Sequence, residues 1–349
     1  MFLSLFLDDF GLYLAKKRNR FCVKKKGSNE VKELVADDVE SIICCSSGVS
    51  FSSSALELAV DNNIQVVFAK YGGWPYAVLM PAALTGSVRA RREQFLAYND
   101  ERSVILAKKF IAGKLVNQAN FLKLMAKNRR QADPKLSEKL YQSGKLIDET
   151  NDKISKEQGD NIDVKRQHIM NLEAEAARYY WDCVRQILPS ELEFRGRITR
   201  GATDPFNAML NFGYQTVLFP EVWKAVSYAG LDFYAGYLHA DRSGKPSLVL
   251  DMMEEFRQQL VDRTLISLIT KNVIKPNEII ATDTVEEGRV LSKGVIKIML
   301  NSLHERLVDN KVMFNGETRS IKSFIHLQPR QMVRFLLKEA EYVPFCLGW

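Results

Sequence analysis

The hydrophobic periodicity of this chain changes near Val88, and that change constrains the fold more than any other feature. Before it, short runs rich in β-branched and aromatic residues alternate with turn residues, as in RFCVKKK, SIICCSS and IQVVFAK. After it, apolar residues recur at helical spacing, beginning with a long proline-free stretch from Ser87 to Arg130. The chain is therefore predicted to be α+β, with a small N-terminal β-sheet domain at residues 1–85 and a larger all-α catalytic domain at residues 86–349.

Segments within each region carry more specific predictions. We expect strands in MFLSLFL, FGLYLAKK, RFCVKKK, SIICCSS, IQVVFAK and YAVLMP, and one helix in SSSALELAVDNN with its N-cap among Ser52 to Ser54. The polar stretch from Arg129 to Arg166 is interpreted as a solvated helical insertion. The segment SYAGLDFYAGYLHA is interpreted as a helix that ends at His239.

The composition indicates the cellular compartment of the protein and the kind of partner that it binds. The sequence has no apolar span of membrane length, and its apolar start lacks the basic residues of a signal peptide. Its five cysteines form no CxxC motif, which fits a reducing cytoplasm and argues against a zinc site. The net charge of +7 lies entirely after Val88, where 40 basic residues face 33 acidic ones. Such an excess suggests a polyanionic partner, although it would serve solubility equally well.

One glutamate lies in the middle of an apolar helix face in IMNLEAEAARYYWDCVRQIL. Glu175 points to the other side of the wheel. An ionised carboxylate in an apolar stripe needs compensation from a metal ion, a cationic side chain or a raised pKa. A structural ion pair explains the pattern as well as a functional site does. The buried glutamate is Glu173, and its stripe contains Ile169, Ala176, Ala177, Tyr180, Val184 and Ile187.

A second acidic group follows a histidine in GYLHADRSGKPSLVLDMMEEF. Asp251, Glu254 and Glu255 belong to a helix, where acidic residues in a first turn favour the helix dipole and mark a solvated face. His239 is either a hydrogen-bonded core residue or a ligand. If these segments meet Glu173, their carboxylates and one imidazole suit Mg²⁺ or Mn²⁺ better than Zn²⁺. Such a metal would activate a phosphodiester, and nucleic acid is the natural substrate of a basic domain.

Basic residues near these segments are predicted to contact DNA phosphates. The run FRGRITRGATDPFN places three arginines on a loop that ends at Asp204 and Pro205, an N-cap followed by proline at the first helical position. An ordinary exposed loop is the alternative interpretation. The predicted DNA-binding residues are Arg89, Arg91, Arg92, Arg195, Arg197, Arg200, Arg242 and Lys245.

Three ordered motifs, LEAEAARYYW, DPFNAMLNFGY and GYLHADRSGKPSLVLDMMEEFR, resemble those of the CRISPR-associated integrase, the nuclease subunit of the spacer-acquisition complex. The stretch SIICCSSGVSFSSSALELAVDNNIQVVFAKYGG is similar to that family's N-terminal domain, so the resemblance covers nearly the whole chain. One departure is Ala174, which stands where the family commonly has glycine after the catalytic glutamate.

The resemblance implies a site, a reaction and partners. Glu173, His239, Asp251 and Glu254 would be catalytic and would hold Mg²⁺ or Mn²⁺, with Glu254 preferred to Glu255 because it lies one helical turn from Asp251. The 3′-hydroxyl of a short duplex fragment would attack a phosphodiester at a CRISPR repeat boundary, which is a transesterification. The implied partners are double-stranded and branched DNA, a second copy in a homodimer, and a small ferredoxin-like acquisition protein. The implied location is a prokaryotic cytoplasm, without a membrane partner.

Other functions use much the same features. A branched-DNA repair nuclease without integration would use the same residues and differ only in its products. A transposon-borne integrase would add a C-terminal DNA-binding module, for which the sequence shows no clear candidate. A non-catalytic DNA-binding dimer scaffold would have no need of the intact acidic set. The last residues, EYVPFCLGW, offer Tyr342, Phe345 and Trp349 either to the partner protein or, as we expect, to their own domain.

Overall fold

The computed structural model describes residues 3–70, 75–79, 87–199, 201, 204–280 and 291–348. The chain divides into two compact units, Met1–Leu84 with Gln215–Pro220, and Thr85–Tyr214 with Glu221–Trp349. The expected class is confirmed in outline, since strands dominate the N-terminal region and helices dominate the remainder.

The N-terminal unit contains two four-stranded sheets and one helix among its described residues. Its elements are β1 (Leu3–Leu7), β2 (Leu12–Lys17), β3 (Arg20–Lys25), β4 (Val31–Val35), β5 (Val39–Cys44), β6 (Ser50–Phe51), α1 (Ser53–Asp61), β7 (Gln65–Ala69) and β8 (Pro75–Leu79). One sheet has the order β1-β5-β7-β8, parallel except for β8, and the other has the order β4-β3-β2-β6, antiparallel except for β6. The expected strands and helix are present, whereas β4 and β6 had not been predicted.

Both sheets and the helix of this unit share one apolar core. Leu14 from one sheet, Ile42 from the other and Leu58 from α1 belong to the same buried cluster. The predicted N-cap is Ser52, whose hydroxyl accepts a hydrogen bond from the backbone N–H of Ala55 at 3.2 Å. A cap of this kind contributes about 1 kcal/mol to helix stability.

The second unit is built mainly from long helices. Its elements are α2 (Val88–Ala97), α3 (Glu101–Arg129), α4 (Pro134–Ser155), α5 (Ile162–Ile187), α6 (Pro205–Phe212), α7 (Phe219–Tyr228), α8 (Ser247–Met253), α9 (Arg263–Thr270), α10 (Lys293–His304), β9 (Lys311–Phe314), β10 (Glu317–Ser320) and α11 (Ile321–Leu336). A π-helical turn, Arg257–Asp262, precedes α9. None of the described helices combines the length and apolar character needed to cross a membrane.

The polar stretch that was interpreted as a solvated insertion is helical, but one face of it is buried. Leu140, Ile147 and Ile154 recur every seventh residue along α4 and are buried, so this helix is amphipathic. A Cβ added at Gly144 would lie 3.2 Å from the carbonyl oxygen of Ala119 on α3. The absence of a side chain at that position therefore lets α4 pack closely on α3.

The helix predicted over SYAGLDFYAGYLHA is wrong beyond its first two residues. Helix α7 ends at Tyr228, and residues 229–246 form an irregular loop. Gly230 adopts a φ of 76°, the left-handed conformation with which helices commonly end. Further along the loop, backbone N–H groups bond to the side chain of Asp251 instead of to helical carbonyls. That long-range acceptor overrides the local helical pattern.

The expectation of an all-α second domain is also wrong, because β9 and β10 form a hairpin near its end. Asn315 and Gly316 join the two strands with φ angles of 51° and 78°. An Asn-Gly pair with two positive φ angles is the preferred two-residue hairpin turn, and its rotation matches the twist of the strands. This signal was present in MFNGET but was not used in the sequence interpretation.

The C-terminal tail packs on its own unit, as expected. Tyr342 and Phe345 are buried, and the Phe345 ring stacks on Phe256 with their centroids 4.8 Å apart. Trp349 lies outside the described residues.

Candidate active site

Two of the predicted catalytic carboxylates meet at a lysine. The ammonium of Lys114, from the middle of α3, lies 2.6 Å from Glu173 Oε1 on α5 and 2.8 Å from Glu254 Oε2, directly after α8. The three side chains are 16%, 18% and 5% exposed. The structure therefore brings Glu173 and Glu254 together on a cationic side chain, as in the ion-pair alternative for Glu173, and identifies that side chain as Lys114.

The second carboxylate of this group is held by two cations. Arg257 Nε donates to Glu254 Oε1 at 3.0 Å, while Lys114 contacts the other oxygen. Burial raises the pKa of Glu254, but Arg257, Lys114 and His239 outweigh burial and lower that pKa to about 2. Burial alone would lower the pKa of Lys114, and the two glutamates raise it above its usual value instead. Glu254 and Lys114 therefore both carry their charges at neutral pH.

His239 is fixed by Asp251. The carboxylate of Asp251 is fully buried, and its Oδ1 accepts from the backbone N–H of His239 at 3.0 Å and from His239 Nδ1 at 2.7 Å. Its Oδ2 accepts from the backbone N–H groups of Tyr237 at 2.7 Å and Leu238 at 3.0 Å. Four donors thus account for both oxygens of Asp251 and shape the loop that carries His239.

This contact selects one tautomer of the imidazole. An ionised carboxylate can only accept hydrogen bonds, so His239 Nδ1 carries the proton that lies between it and Asp251. In the neutral imidazole, Nε2 then keeps its lone pair and can bind a metal or take up a proton. A carboxylate behind a histidine in this way orients many metal-binding histidines.

Glu255, the residue after Glu254, points away from Lys114 and does not lie on a solvated face. Glu255 is fully buried and accepts hydrogen bonds from Tyr342 Oη at 2.5 Å, the backbone N–H of Phe345 at 2.7 Å and Gln328 Nε2 at 2.7 Å. Burial raises its pKa to about 7, despite these donors. Helix α8 ends at Met253, and the turn that follows it directs Glu254 and Glu255 into different surroundings.

A second buried cluster supports the cations of the site. Asp262 accepts hydrogen bonds from Tyr180 Oη at 2.9 Å and from Tyr214 Oη, and burial raises its pKa to about 6. The ring of Tyr214 lies 5.3 Å from the guanidinium of Arg197 and 4.7 Å from that of Arg257. These cation–π contacts hold Arg257 where it pairs with Glu254.

The predicted DNA-binding residues differ in exposure. Arg197 is half-buried and donates to Asn207 at 3.0 Å and Asn211 at 2.7 Å, so it orders the loop before α6. That loop ends as predicted, with Asp204 capping α6 and Pro205 at its first position. Arg89, Arg91, Arg92, Arg195 and Arg242 are exposed, Lys245 is half-buried, and Arg200 lies outside the described residues.

A cleft adjoins the histidine loop. It has a volume of about 520 Å³ and lies between α2 and the irregular loop after α7. Its lining residues are Gln94, Phe95, Tyr98, Asn99, Asp232, Tyr234, Ala235, Gly236, Asp241, Arg242 and Ser243.

The predicted four-residue metal set is divided into two pairs. In the part of the chain that the structure describes, no three His, Cys, Asp or Glu side chains converge as metal ligands. Lys114 lies between Glu173 and Glu254, and Asp251 is paired with His239. Glu254 Oε2 is buried and, among the described residues, receives no hydrogen bond of suitable angle, although it contacts the ammonium at 2.8 Å.

Sequence interpretation missed Lys114 and Arg257. Lys114 follows the buried residues Phe110 and Ile111 by one helical turn and precedes buried Gln118 by another. A lone lysine on a buried helix face is the cationic counterpart of the pattern that identified Glu173, so a helical wheel of α3 would have found it.

Comparison with known proteins gives a consistent result. A family model described as CRISPR associated protein Cas1 matches residues 5–305. The CRISPR-associated endonuclease Cas1 1 of Archaeoglobus fulgidus is 37% identical over 99% of this chain and 100% of the relative. The CRISPR-associated endonuclease Cas1 of Korarchaeum cryptofilum is 31% identical over 98% of this chain and 98% of the relative. Similar folds occur in a casposase bound to integration product (24% identity, TM-score 0.82, 98% of this chain and 93% of that one) and in a Cas1 protein from Thermotoga maritima (20% identity, TM-score 0.75, 99% of each). The chain therefore belongs to the family of CRISPR-associated Cas1 proteins.

Proposed function

We propose that this chain is a metal-dependent DNA endonuclease and integrase in which Glu173, His239 and Glu254 hold a divalent cation, Mg²⁺ or Mn²⁺, and Asp251 orients the histidine. The observation that carries this proposal is the meeting of two carboxylates, the buried Glu254 and the partly buried Glu173, on one cation. Membership of a family with relatives named endonucleases supports the nuclease activity. The likeness to a casposase bound to integration product supports strand joining, here by transesterification at a CRISPR repeat.

The residue types present fit a divalent metal, although the described side chains do not converge on one point while Lys114 lies between Glu173 and Glu254. Two carboxylates and one neutral imidazole are a donor set that suits Mg²⁺ or Mn²⁺. Glu254 Oε2 is a buried anionic oxygen that attracts a cation but lacks a well-directed donor among the described residues. When bound, the metal would polarise the phosphodiester and stabilise charge on the leaving oxygen.

The chain's own residues position this chemistry. Asp251 keeps the proton of His239 on Nδ1, which leaves Nε2 for the metal or for a proton from the attacking hydroxyl. Arg257 engages Glu254 Oε1 and so keeps Oε2 directed toward Glu173. The exposed arginines of α2, together with Arg195 and Arg242, are proposed to contact the DNA backbone. The same role is proposed from the sequence for Lys245 and Arg200.

Partners are proposed on the same grounds. Double-stranded and branched DNA are the expected substrates. A similar fold occurs in a chain of a Cas6-RT-Cas1–Cas2 complex, with 19% identity, a TM-score of 0.74 and coverage of 99% of this chain and 36% of that one. We propose that this chain likewise works with a small ferredoxin-like acquisition protein of the Cas2 type. Homodimerisation through the N-terminal unit is part of the same proposal.

A labelled branched duplex with a free 3′-hydroxyl tests the proposal. The purified protein is incubated with it in Mn²⁺, in Mg²⁺ or with a chelator, and the joined strand and released flap are followed on one gel. Glu173→Gln and His239→Ala are expected to lower joining by more than about 100-fold, because loss of a residue that only orients a metal ligand already costs about 10- to 100-fold. Glu175→Gln, on another face of the same helix, is the matched control and should retain activity.

The products separate the possible activities. Metal-dependent joining that requires Glu173 and His239 supports the integrase. Flap release without joining supports a branched-DNA nuclease in its place. If no product forms with either metal, even after the small partner protein is added, the proposed enzymatic activity is wrong.

A further inference from the structure

Lys114 fills the position between the two proposed carboxylate ligands. Its ammonium lies within 2.8 Å of an oxygen from each of Glu173 and Glu254. Mg²⁺ binds carboxylate oxygens at about 2.0–2.1 Å, so a metal shared by both residues would require the same space with shorter contacts. The ammonium and a metal ion therefore cannot bridge this pair of oxygens together.

Glu254 does not depend on Lys114 alone for its position. Asn117, one turn along α3, donates from Nδ2 to the backbone carbonyl of Glu255 at 2.8 Å. A Cβ added at Gly113 would lie 2.8 Å from Glu255 Cγ, so α3 and the turn that carries Glu254 are in close contact beside the lysine. Arg257 separately holds Glu254 Oε1. These contacts keep the turn that carries Glu254 in place beside α3 when the ammonium leaves.

Charge balance favours a phosphate as the next partner of the lysine. Lys114 contacts one oxygen each of Glu173 and Glu254, and Arg257 contacts the other oxygen of Glu254. A divalent cation between these oxygens would take the anionic partners of the ammonium, and a phosphodiester group would supply a negative charge in their place. A buried site with uncompensated charge is costly, so a displaced ammonium gains most from a DNA phosphate.

We propose that Lys114 is an exchangeable internal cation, which bridges Glu173 and Glu254 until a divalent metal displaces it and then pairs with a phosphate of the bound DNA. The inference rests on the proposed metal site and adds a positioning residue that couples metal binding to DNA binding. Coupling of this kind is reciprocal, so bound metal strengthens the DNA contact and bound DNA strengthens metal binding.

Metal affinity without DNA is the first test. Mn²⁺ binding is measured by calorimetry for the wild type, Lys114→Met, Lys114→Arg and the control Lys123→Met. Lys123 lies on the same helix and pairs with Asp148, away from the site. Loss of the competing charge is expected to tighten Mn²⁺ binding by about tenfold in Lys114→Met, equivalent to about 1.4 kcal/mol. Lys114→Arg, which keeps the charge, and Lys123→Met should bind Mn²⁺ as the wild type does.

Thermal unfolding in a chelator, and again with Mn²⁺, shows whether each variant is folded. Lys114→Met should melt at a lower temperature in chelator than the wild type and gain more from Mn²⁺. If that variant does not fold, Lys114→Gln replaces it, because an amide can donate to both carboxylates without carrying charge. Equal or weaker Mn²⁺ binding in the uncharged variant overturns the inference. Absence of Mn²⁺ binding in both the wild type and the uncharged variant overturns the proposed metal site as well.

The salt dependence of DNA binding is the second test. One phosphate contact changes the slope of log K against log salt by about one unit. Ca²⁺ binds oxygen ligands and is used to fill the metal site. In Ca²⁺ the slope for Lys114→Met should be less negative than the wild-type slope by about one unit. In chelator the two slopes should agree, because the wild-type lysine is then engaged with the carboxylates. Equal slopes in Ca²⁺, or the same difference under both conditions, would contradict the exchange.

Discussion

The role of Asp251 leads to the most specific prediction. Asp251→Asn keeps the size of the side chain but replaces one acceptor oxygen with an NH₂ group. Placed at the Oδ2 position, this group faces the backbone N–H groups of Tyr237 and Leu238, and both lose their acceptor. Placed at the Oδ1 position, it forces His239 Nδ1 to accept, so the proton moves to Nε2, where it blocks metal binding.

The magnitude follows from the number of buried donors. A buried N–H without a partner costs about 1–3 kcal/mol, so two of them, with partial relaxation, cost about 2–4 kcal/mol. With an unfolding entropy of about 2.1 cal/mol/K per residue, each kcal/mol lowers the melting temperature of a chain of 349 residues by roughly 1.4 °C, which gives a decrease of roughly 3–6 °C. If the other orientation wins, the loss of stability is smaller, and Mn²⁺ affinity falls by about 10- to 100-fold instead.

Thermal unfolding and Mn²⁺ calorimetry on the same samples distinguish these outcomes. The control is Asp232→Asn, because Asp232 lies in the same loop and its carboxylate accepts one hydrogen bond among the described residues. The donor is the backbone N–H of Tyr234, and an asparagine oxygen accepts it equally well. It should melt and bind Mn²⁺ as the wild type does. Asp251→Asn with both wild-type stability and wild-type metal affinity would refute the four-donor account of this residue.

Two further predictions concern stability. The pKa of Glu255 is raised from 4.5 to about 7 in the folded state. Protonation of Glu255 therefore stabilises the fold by up to about 3 kcal/mol. This stabilisation is present in full below pH 4.5 and is lost as the pH rises to 7. Glu254, lowered to about 2, stabilises above pH 4.5 and loses this effect as the pH falls toward 2. Urea unfolding in chelator should show each pH dependence disappear in its own Gln variant, and an unchanged profile would contradict the assignment. Gly236→Ala should cost about 1–3 kcal/mol of unfolding free energy, because its Cβ would lie 2.6 Å from Ser247 Cβ, whereas Gly294→Ala meets nothing within 4 Å and should not destabilise.

Much of the fold was predictable because the signals are local. The strand and helix periods, the Ser52 cap and the Asp204-Pro205 helix start were all read correctly from neighbouring residues. The errors arose where a distant group decided the local structure. The loop before His239 has the composition of a helix, but the buried carboxylate of Asp251 takes its backbone donors. The Asn315-Gly316 hairpin was a local signal that had been overlooked.

The acidic residues of the site were identifiable by their spacing, but their roles were not. A helical pattern shows that Glu173 lies on an apolar face, and it places Glu254 one turn after Asp251. This spacing favours Glu254 over Glu255 but does not show what either glutamate contacts. In the structure one of them meets Lys114 and Arg257, and the other meets donors from the C-terminal tail.

By itself, the sequence determined the change from strands to helices along the chain, most elements of the N-terminal region, and the residue types from which a metal site can be built. Those properties depend on the periodicity of apolar residues and on side-chain chemistry, and both can be read from residues that are close together in the sequence. The tertiary structure alone decided that Lys114 bridges two glutamates from different segments, that Asp251 serves His239, and that adjacent glutamates have opposite pKa shifts. Burial and the nearest charge set the state of a carboxylate, and both are supplied by helices far apart in the chain.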